Sequence, residues 1–245
     1  MPTVAFDILG TLFAFDVVVD VVHDHLKLAS RDESKRLFHT WLWSSLRDYF
    51  ATSHNGPYIQ LMVILRNSLQ RTVSAQGYDI KLNEDSIDQI MGTFKTLEPM
   101  PTALDAIKLL QKQGNWNIWA VTNGGKEATQ ELMRRAGILD AFGDGANILS
   151  CDDLLLSKPH PRVYTELMRT VIRKTKLIEN FYLVATHAWD LAGAKNAAFR
   201  TVFLTSEEKI YIKEAYGNIG PDIEDDSMLG CISQMIGQEQ KRSLL

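Results

Sequence analysis

Residues 3–13 read TVAFDILGTLF, and this stretch decides the fold. The apolar run from Thr3 to Phe6 is typical of a short buried strand, and it ends at the acidic Asp7. Gly10 and Thr11 follow at once and indicate a tight turn. Ligands of open parallel sheets bind beyond the carboxyl ends of the strands, so Asp7 stands where a site is expected.

Four further apolar runs resemble strands, and helical patterns separate them. The strand-like runs cover residues 116–121, 147–150, 181–185 and 201–204. The helical patterns cover residues 103–113, 126–136, 163–173 and 190–198, and the tail 223–245 reads as a final helix. Strands that alternate with helices predict an α/β fold with a Rossmann-like parallel sheet and helices on both faces.

The region from about residue 15 to 98 lacks this alternation. Leu37, Trp41, Leu42 and Leu46 recur at helical spacing, and Ile59, Met62, Val63 and Leu65 repeat the pattern. We therefore predict a helical cap at 15–98, inserted after strand 1, and an α/β core formed by 1–14 and 99–245.

The composition of the chain indicates which classes of partner it can bind. The chain has 45% hydrophobic residues and a formal net charge of -4. A mildly acidic protein has no general attraction to nucleic acid or to anionic membranes. No signal peptide or membrane-spanning run is evident, so we expect a cytoplasmic protein that acts on a small molecule. Cys151 and Cys231 are expected to be unpaired and buried.

Polar residues stand at the predicted carboxyl ends of the strands. They are Asp7 and Thr11, Thr122 and Asn123, Lys158, His187 and Asp190. A cation beside a carboxylate keeps it ionised, and an ionised, partly dehydrated aspartate can attack carbon or phosphorus. Each residue alone is weak evidence, because a lone aspartate at a strand end is more often a turn or capping residue. Their common position at strand ends favours an active site.

Four segments carry a resemblance to a known family. They read FDILGTLF at 6–13, VTNG at 121–124, SKPHPRVY at 157–164 and ATHAWDLAGA at 185–194. In order and form they resemble the four motifs of the haloacid dehalogenase superfamily, and the last two are similar to those of type II 2-haloacid dehalogenases. The resemblance spans nearly the whole chain.

The resemblance implies a reaction at Asp7. In that branch the first aspartate attacks the halogen-bearing carbon, and water then hydrolyses the ester. By resemblance, Thr11 orients Asp7, Lys158 keeps Asp7 charged, and Asp190 positions Lys158 or the hydrolytic water. His187 either acts as an acid or base or is a structural imidazole, and both readings stay open.

The resemblance also implies substrate contacts. Thr122 and Asn123 are expected to bind the substrate carboxylate or the leaving atom, and Tyr164 to support Lys158 or the substrate. Trp41 represents the aromatic residues of the cap and is expected to bind the substrate. No cofactor and no metal are expected, and the resemblance allows a homodimer.

Two departures from the family keep other functions open. Metal-dependent phosphatases of the superfamily have a second aspartate where this chain has Leu9, which disfavours magnesium-dependent phosphoryl transfer. Glu33 falls at the position of the dehalogenases' halide-binding arginine, and Ala185 and His187 replace the usual serine and asparagine. An enzyme of specialised metabolism that opens an epoxide, with Asp7 as nucleophile or as a protonated Brønsted acid, is therefore an alternative. A binding protein without activity is the remaining alternative.

Overall fold

The computed structural model describes residues 1–242 of the chain. Its strands are β1 Thr3–Phe6, β2 Asn117–Thr122, β3 Ile148–Ser150, β4 Phe181–Ala185, β5 Arg200–Leu204 and β6 Ile223–Asp225. All are parallel and form one sheet in the order β3-β2-β1-β4-β5-β6. The chain order reverses between β1 and its neighbour β4, which is where an open sheet leaves a crevice for ligands.

The helices connect and cover the strands. They are α1 Asp16–Leu26, α2 Arg31–Asn55, α3 Leu61–Ala75, α4 Glu84–Gly92, α5 Ala103–Gln113, α6 Lys126–Arg135, α7 Cys151–Leu154, α8 Pro161–Thr175, α9 Ala188–Asn196 and α10 Met228–Arg242. Short 3₁₀ segments occupy Thr93–Lys95, Leu139–Gly145 and Lys213–Tyr216.

The sheet is buried on both faces. Successive side chains of a strand point to opposite faces, so Val4 and Phe6 enter one core cluster while Ala5 enters the other. Helices α5, α6 and α10 contribute to the first cluster, and α8 and α9 to the second. The predicted α/β fold with a Rossmann-like parallel sheet and helices on both faces is therefore confirmed.

Helices α1 to α4 and the first 3₁₀ segment form one helical insertion (residues 16–95) between β1 and α5. Two short hydrogen bonds mark where the chain leaves and re-enters the core. Ala14 N donates to Glu98 O, and Met100 N donates to Leu12 O, both at 2.8 Å. The insertion follows β1 directly, so its inner surface lies over the strand end that carries Asp7. The bounds 15–98 for a separate cap remain a prediction.

The prediction of one terminal helix over 223–245 is wrong in its first part. Ile223–Asp225 form strand β6, which pairs with β5 at the edge of the sheet. Three residues are too few to show a strand period in the sequence. Helix α10 begins only at Met228, and residues 243–245 lie outside the described part of the chain.

The sequence predicted two unpaired, buried cysteines and no membrane-spanning run. Cys151 and Cys231 are free and buried, as predicted. Among the helices of residues 1–242, none combines the length and the apolar character that a membrane crossing needs.

Candidate active site

Asp7 lies at the end of β1, in a turn that the sequence makes possible. Gly10 has a φ of 81°, and a Cβ added to it would lie 2.8 Å from the Phe15 ring. A side chain at Gly10 is therefore excluded by both conformation and space. The Asp7 side chain is only 9% exposed. Its Oδ2 accepts a hydrogen bond of 2.7 Å from Thr11 Oγ1.

Lys158 lies beside Asp7 and is fully buried. Its Nζ donates to Asp7 Oδ1 at 2.7 Å, to Asp190 Oδ2 at 2.6 Å and to Val121 O at 3.0 Å. These bonds use all three protons of the ammonium. Lys158 is therefore fixed between the two carboxylates, and Asp7 has a permanent positive neighbour.

Tyr164 holds the second carboxylate. Its hydroxyl donates to Asp190 Oδ1 at 2.6 Å, and both side chains are fully buried. Gly193 lets α9 approach this hydroxyl, because a Cβ there would lie 2.8 Å from Tyr164 Oη. Tyr164 thus positions Asp190, which in turn positions Lys158.

Backbone contacts join the remaining strand ends to this cluster. Thr11 Oγ1 accepts a bond of 3.1 Å from Thr186 N, and Asn123 Oδ1 accepts one of 2.9 Å from Lys158 N. Thr122 Oγ1 accepts from Gly124 N at 2.9 Å. Within residues 1–242, the Thr122 hydroxyl proton and the Asn123 amide protons have no protein acceptor. These donors are available to a ligand.

His187 faces Asp7 from the end of β4. Its Nδ1 lies 3.8 Å from Asp7 Oδ2, too far for a direct hydrogen bond. The imidazole is stacked on the Trp189 ring, with centroids 5.5 Å apart and planes at 25°. The ring orientation is therefore set by packing, and its nitrogen is directed at the carboxylate.

The charges in the cluster set the ionisation of each group. Burial alone would raise the pKa of Asp7, but Lys158 and His187 outweigh it and hold that pKa well below its usual range. Burial disfavours the charged Lys158, yet Asp190 and Asp7 raise its pKa. Burial, together with the charge of Asp7, raises the pKa of Asp190. Asp7 is thus ionised at neutral pH.

The pKa of His187 moves in the opposite direction from that of Asp7. Burial disfavours the imidazolium, but the Asp7 carboxylate outweighs burial, and Glu208 and Glu207 act in the same direction. The pKa of His187 is therefore raised above its ordinary value. His187 therefore binds a proton more readily while Asp7 is ionised.

A small cavity of about 20 Å³ opens onto Asp7. That space holds about one water molecule. Besides Asp7, Thr122, Asn123 and His187, it is lined by Leu9, Phe15, Leu42, Leu46, Leu61 and Trp189. The apolar lining, drawn largely from the helical insertion, keeps water away from the carboxylate and strengthens its charge interactions. We refer to this space as the Asp7 pocket.

Two predicted substrate contacts lie elsewhere. Trp41 is fully buried inside the insertion, where its Nε1 donates to Leu65 O at 2.9 Å and to Ser68 Oγ at 3.1 Å. Leu42 and Leu46 line the Asp7 pocket instead, because one residue along α2 turns the side chain by about 100°. Tyr164 does not line the pocket either, because it is buried beneath Asp190.

Glu33, the residue at the arginine position of the dehalogenases, is also remote from Asp7. Its carboxylate accepts bonds from Tyr78 Oη at 2.6 Å and from Ala29 N at 2.9 Å. These contacts lie on the outer surface of the insertion. The Asp7 pocket is lined by no arginine among the described residues.

The sequence did not single out Trp189 or the leucines of the pocket. Trp189 directly precedes the predicted site residue Asp190, and this position could have indicated that Trp189 lies near the site. Leu42 and Leu46 are four residues apart on α2 and share one helix face, but the sequence does not say which face of α2 meets the core.

Comparisons with known proteins show the family to which the chain belongs. The model of the haloacid dehalogenase-like hydrolase family matches residues 1–209. A segment of 132 residues, 54% of this chain, is 30% identical to (S)-2-haloacid dehalogenase 4A of Burkholderia cepacia and spans about half of that protein, 54%. (S)-2-haloacid dehalogenase 1 of Pseudomonas sp. (strain CBS-3) is 23% identical over 198 residues, which are 80% of this chain and 81% of that protein.

Solved structures resemble the fold over almost its full length. The L-2-haloacid dehalogenase from Xanthobacter autotrophicus superposes with a TM-score of 0.74 at 20% identity, covering 96% of this chain and 98% of that one. The L-2-haloacid dehalogenase RSc1362 gives a TM-score of 0.81 at 18% identity, covering 95% and 97%. Sequence identities of 18% and 20% support a shared fold and nothing further. The family match covers residues 1–209, which is most of the chain. It shows that the chain belongs to the haloacid dehalogenase-like hydrolases.

Proposed function

We propose that this hydrolase releases halide from 2-haloacids, with Asp7 as the nucleophile. The observation that carries the proposal is an ionised, nearly dehydrated carboxylate fixed by Thr11 and Lys158. Removing water from an anion and holding it in one orientation favours its attack on carbon. The matching relatives named as (S)-2-haloacid dehalogenases support this choice of substrate.

In the first step, a carboxylate oxygen of Asp7 attacks C2 of the substrate. A carbon–oxygen bond forms, the carbon–halogen bond breaks, and the halide leaves with the bonding electron pair. The free donors of Thr122 and Asn123 face the same pocket and are suited to hold the substrate carboxylate or the departing halide. Lys158 remains bound to Asp190 throughout and keeps the cluster in place.

In the second step, water attacks the carbonyl carbon of the Asp7 ester. The bond between that carbon and the ester oxygen, which came from Asp7, breaks. This step releases a 2-hydroxyacid and restores Asp7 with one oxygen from water. The esterified Asp7 no longer carries the charge that raises the pKa of His187, so neutral His187 becomes available. Its Nδ1, 3.8 Å from Asp7 Oδ2 in the free enzyme, is placed to accept the proton of this water. The overall products are the 2-hydroxyacid, halide and one proton.

The charges around Asp7 favour this role over that of a Brønsted acid. An acid that opens an epoxide must carry a proton, which requires a raised pKa. The pKa of Asp7 is instead lowered by Lys158 and His187. Leu9 continues to disfavour phosphoryl transfer, since its side chain offers no oxygen to Mg²⁺.

The proposal is tested by halide release. Purified protein in the presence of a chelator is expected to release chloride or bromide from (S)-2-halopropanoate, in a one-to-one ratio with lactate. Ion chromatography measures the halide, and the (R)-enantiomer is the control. Absence of release from a panel of 2-haloacids of different chain length would contradict the proposal.

A His187→Asn variant tests the proposed base. The neutral imidazole is required in the ester, where Asp7 no longer carries the charge that raises the pKa of His187. Wild-type kcat should therefore fall at low pH as His187 of the ester becomes protonated, while Asp7 of the free enzyme stays ionised. Asparagine, the residue usual in the dehalogenases, orients water without titrating. The variant should therefore retain turnover but lose the acidic limb of its pH profile. An unchanged acidic limb would assign that limb to another group.

A further inference from the structure

A second cavity, of about 320 Å³, lies between the helical insertion and the core. Its apolar lining comes from α3, α4, α6 and the 3₁₀ segment after α4: Met62, Val63, Met91, Phe94, Ala128 and Leu132. We refer to this cavity as the side groove. Its volume lies at the lower end of the range for small-molecule sites, about 300–1,000 Å³.

The side groove adjoins the Asp7 pocket. Leu9 and Thr122 line both spaces, so one wall is shared. The Asp7 pocket itself, at about 20 Å³, has room for about one water molecule. A larger substituent of the substrate must therefore lie outside that pocket. The side groove is the neighbouring space, on the other side of the wall that Leu9 and Thr122 form.

The side groove has few polar side chains, and some of them are bound to other protein groups. Thr129 Oγ1 donates to Gly125 O at 2.9 Å, and Thr122 Oγ1 accepts from Gly124 N at 2.9 Å. Arg66 at the rim is bound by Glu84 and Asp88. Lys95, an exposed residue, also lines the groove and has no ion pair among the described residues, and the Thr122 hydroxyl proton is free. The rest of the lining is mostly apolar, so the groove suits an apolar group of a ligand. The flexible side chains of Met62 and Met91 can adjust to different shapes.

We infer that the side groove binds the apolar substituent of the substrate, and that the preferred substrates are 2-haloacids with a medium-length alkyl chain. This inference rests on the proposed function. The reacting carbon lies at the Asp7 carboxylate, and the alkyl chain extends past Leu9 into the groove. Burial of the chain supplies binding free energy that a two- or three-carbon acid lacks.

The test is a substrate series in the wild type and in an Ala128→Trp variant. For 2-bromopropanoate, 2-bromohexanoate and 2-bromooctanoate, wild-type kcat/KM should rise by roughly fourfold for each added methylene that is buried. Ala128 is an exposed residue of α6 that lines the groove, so tryptophan there should fill the groove without disturbing the fold. The variant should lose the gain with chain length and keep its activity on 2-bromopropanoate.

An Ala51→Trp variant is the matched control. Ala51 is exposed on α2 and lies outside the groove lining, so its substitution should leave the chain-length series unchanged. A wild-type series without a gain, or a gain that survives in Ala128→Trp, would overturn the inference.

A second measurement separates this inference from the proposed function. Calorimetry should show that wild-type protein binds octanoate more tightly than propanoate, and that Ala128→Trp abolishes the difference. If this difference in affinity is seen but halide is never released, the side groove binds an alkyl chain and the proposed reaction is wrong. If halide is released while octanoate and propanoate bind equally, the reaction stands and the groove has no role.

Discussion

An Asp7→Asn variant is expected to lose at least about 10⁴-fold in kcat for halide release, the scale seen when a covalent nucleophile is removed. A neutral amide oxygen is a far weaker nucleophile than a carboxylate. The loss should not come from unfolding, because Lys158 keeps its bond of 2.6 Å to Asp190. Asparagine keeps one acceptor oxygen, which can take the hydrogen bond from Lys158 or from Thr11. Circular dichroism and thermal unfolding check that the variant is folded.

A labelling experiment shows whether Asp7 attacks carbon or only activates water. With enzyme in excess over a 2-haloacid in ¹⁸O-labelled water, ester hydrolysis should place the first heavy oxygen on Asp7, detected by peptide mass spectrometry. The hydroxyacid of that first turnover should carry the unlabelled oxygen of Asp7. Label found in the hydroxyacid, with none on Asp7, would assign the attack to water. Substantial turnover in Asp7→Asn would reject both roles.

The meeting of Asp7 and Lys158 was predictable, although 151 positions separate them in sequence. The carboxyl ends of parallel strands share one edge of a sheet, so polar residues after different strands converge there. Periodicity located five of the strands, and the order of the polar residues indicated the site. Long-range prediction succeeded here because the sheet topology is restricted by a few general rules.

The inner surface of the insertion was not predictable in the same way. Helical spacing placed Trp41, Leu42 and Leu46 on α2, but several apolar residues covered more than one face of that helix. Only the packing of α2 against α3 decides that Trp41 is enclosed by its neighbours, with Nε1 bonded to Leu65 O, while Leu42 faces Asp7. A tryptophan has a large apolar area and one donor, and both can be satisfied inside a helical bundle.

The stacked pair of His187 and Trp189 illustrates a second limit. The sequence indicated that His187 follows β4, but its distance to Asp7 depends on how the turn before α9 runs. Gly10 contributes to that distance, because a Cβ there would also lie 3.3 Å from His187 Cε1. Such a contact joins two turns far apart in the chain and leaves no local pattern in either of them.

A Lys158→Met variant is expected to lose about 3–5 kcal/mol in free energy of unfolding at neutral pH, together with its activity. Lys158 is fully buried, and its ammonium is the shared partner of Asp7 and Asp190. Methionine fills similar space but leaves two carboxylates buried without a cation. Chemical denaturation measures the loss, and Lys195→Met is the control. Lys195 pairs with Asp222, and these side chains are 26% and 28% exposed, so that change should cost no more than about 1 kcal/mol.

The pH dependence of the Lys158→Met variant identifies the cause of its instability. In the wild type the pKa of Asp7 is lowered on folding, so its stabilising contribution is present above the unfolded pKa of about 3.9 and is lost as the pH falls through the folded value. Without the ammonium, burial should raise the pKa of both carboxyls on folding. The folded variant then binds more protons than the unfolded chain, so its stability should increase from pH 7 to pH 5. If the difference in free energy of unfolding between the variant and the wild type does not become smaller from pH 7 to pH 5, the variant is destabilised by lost packing rather than by uncompensated charge.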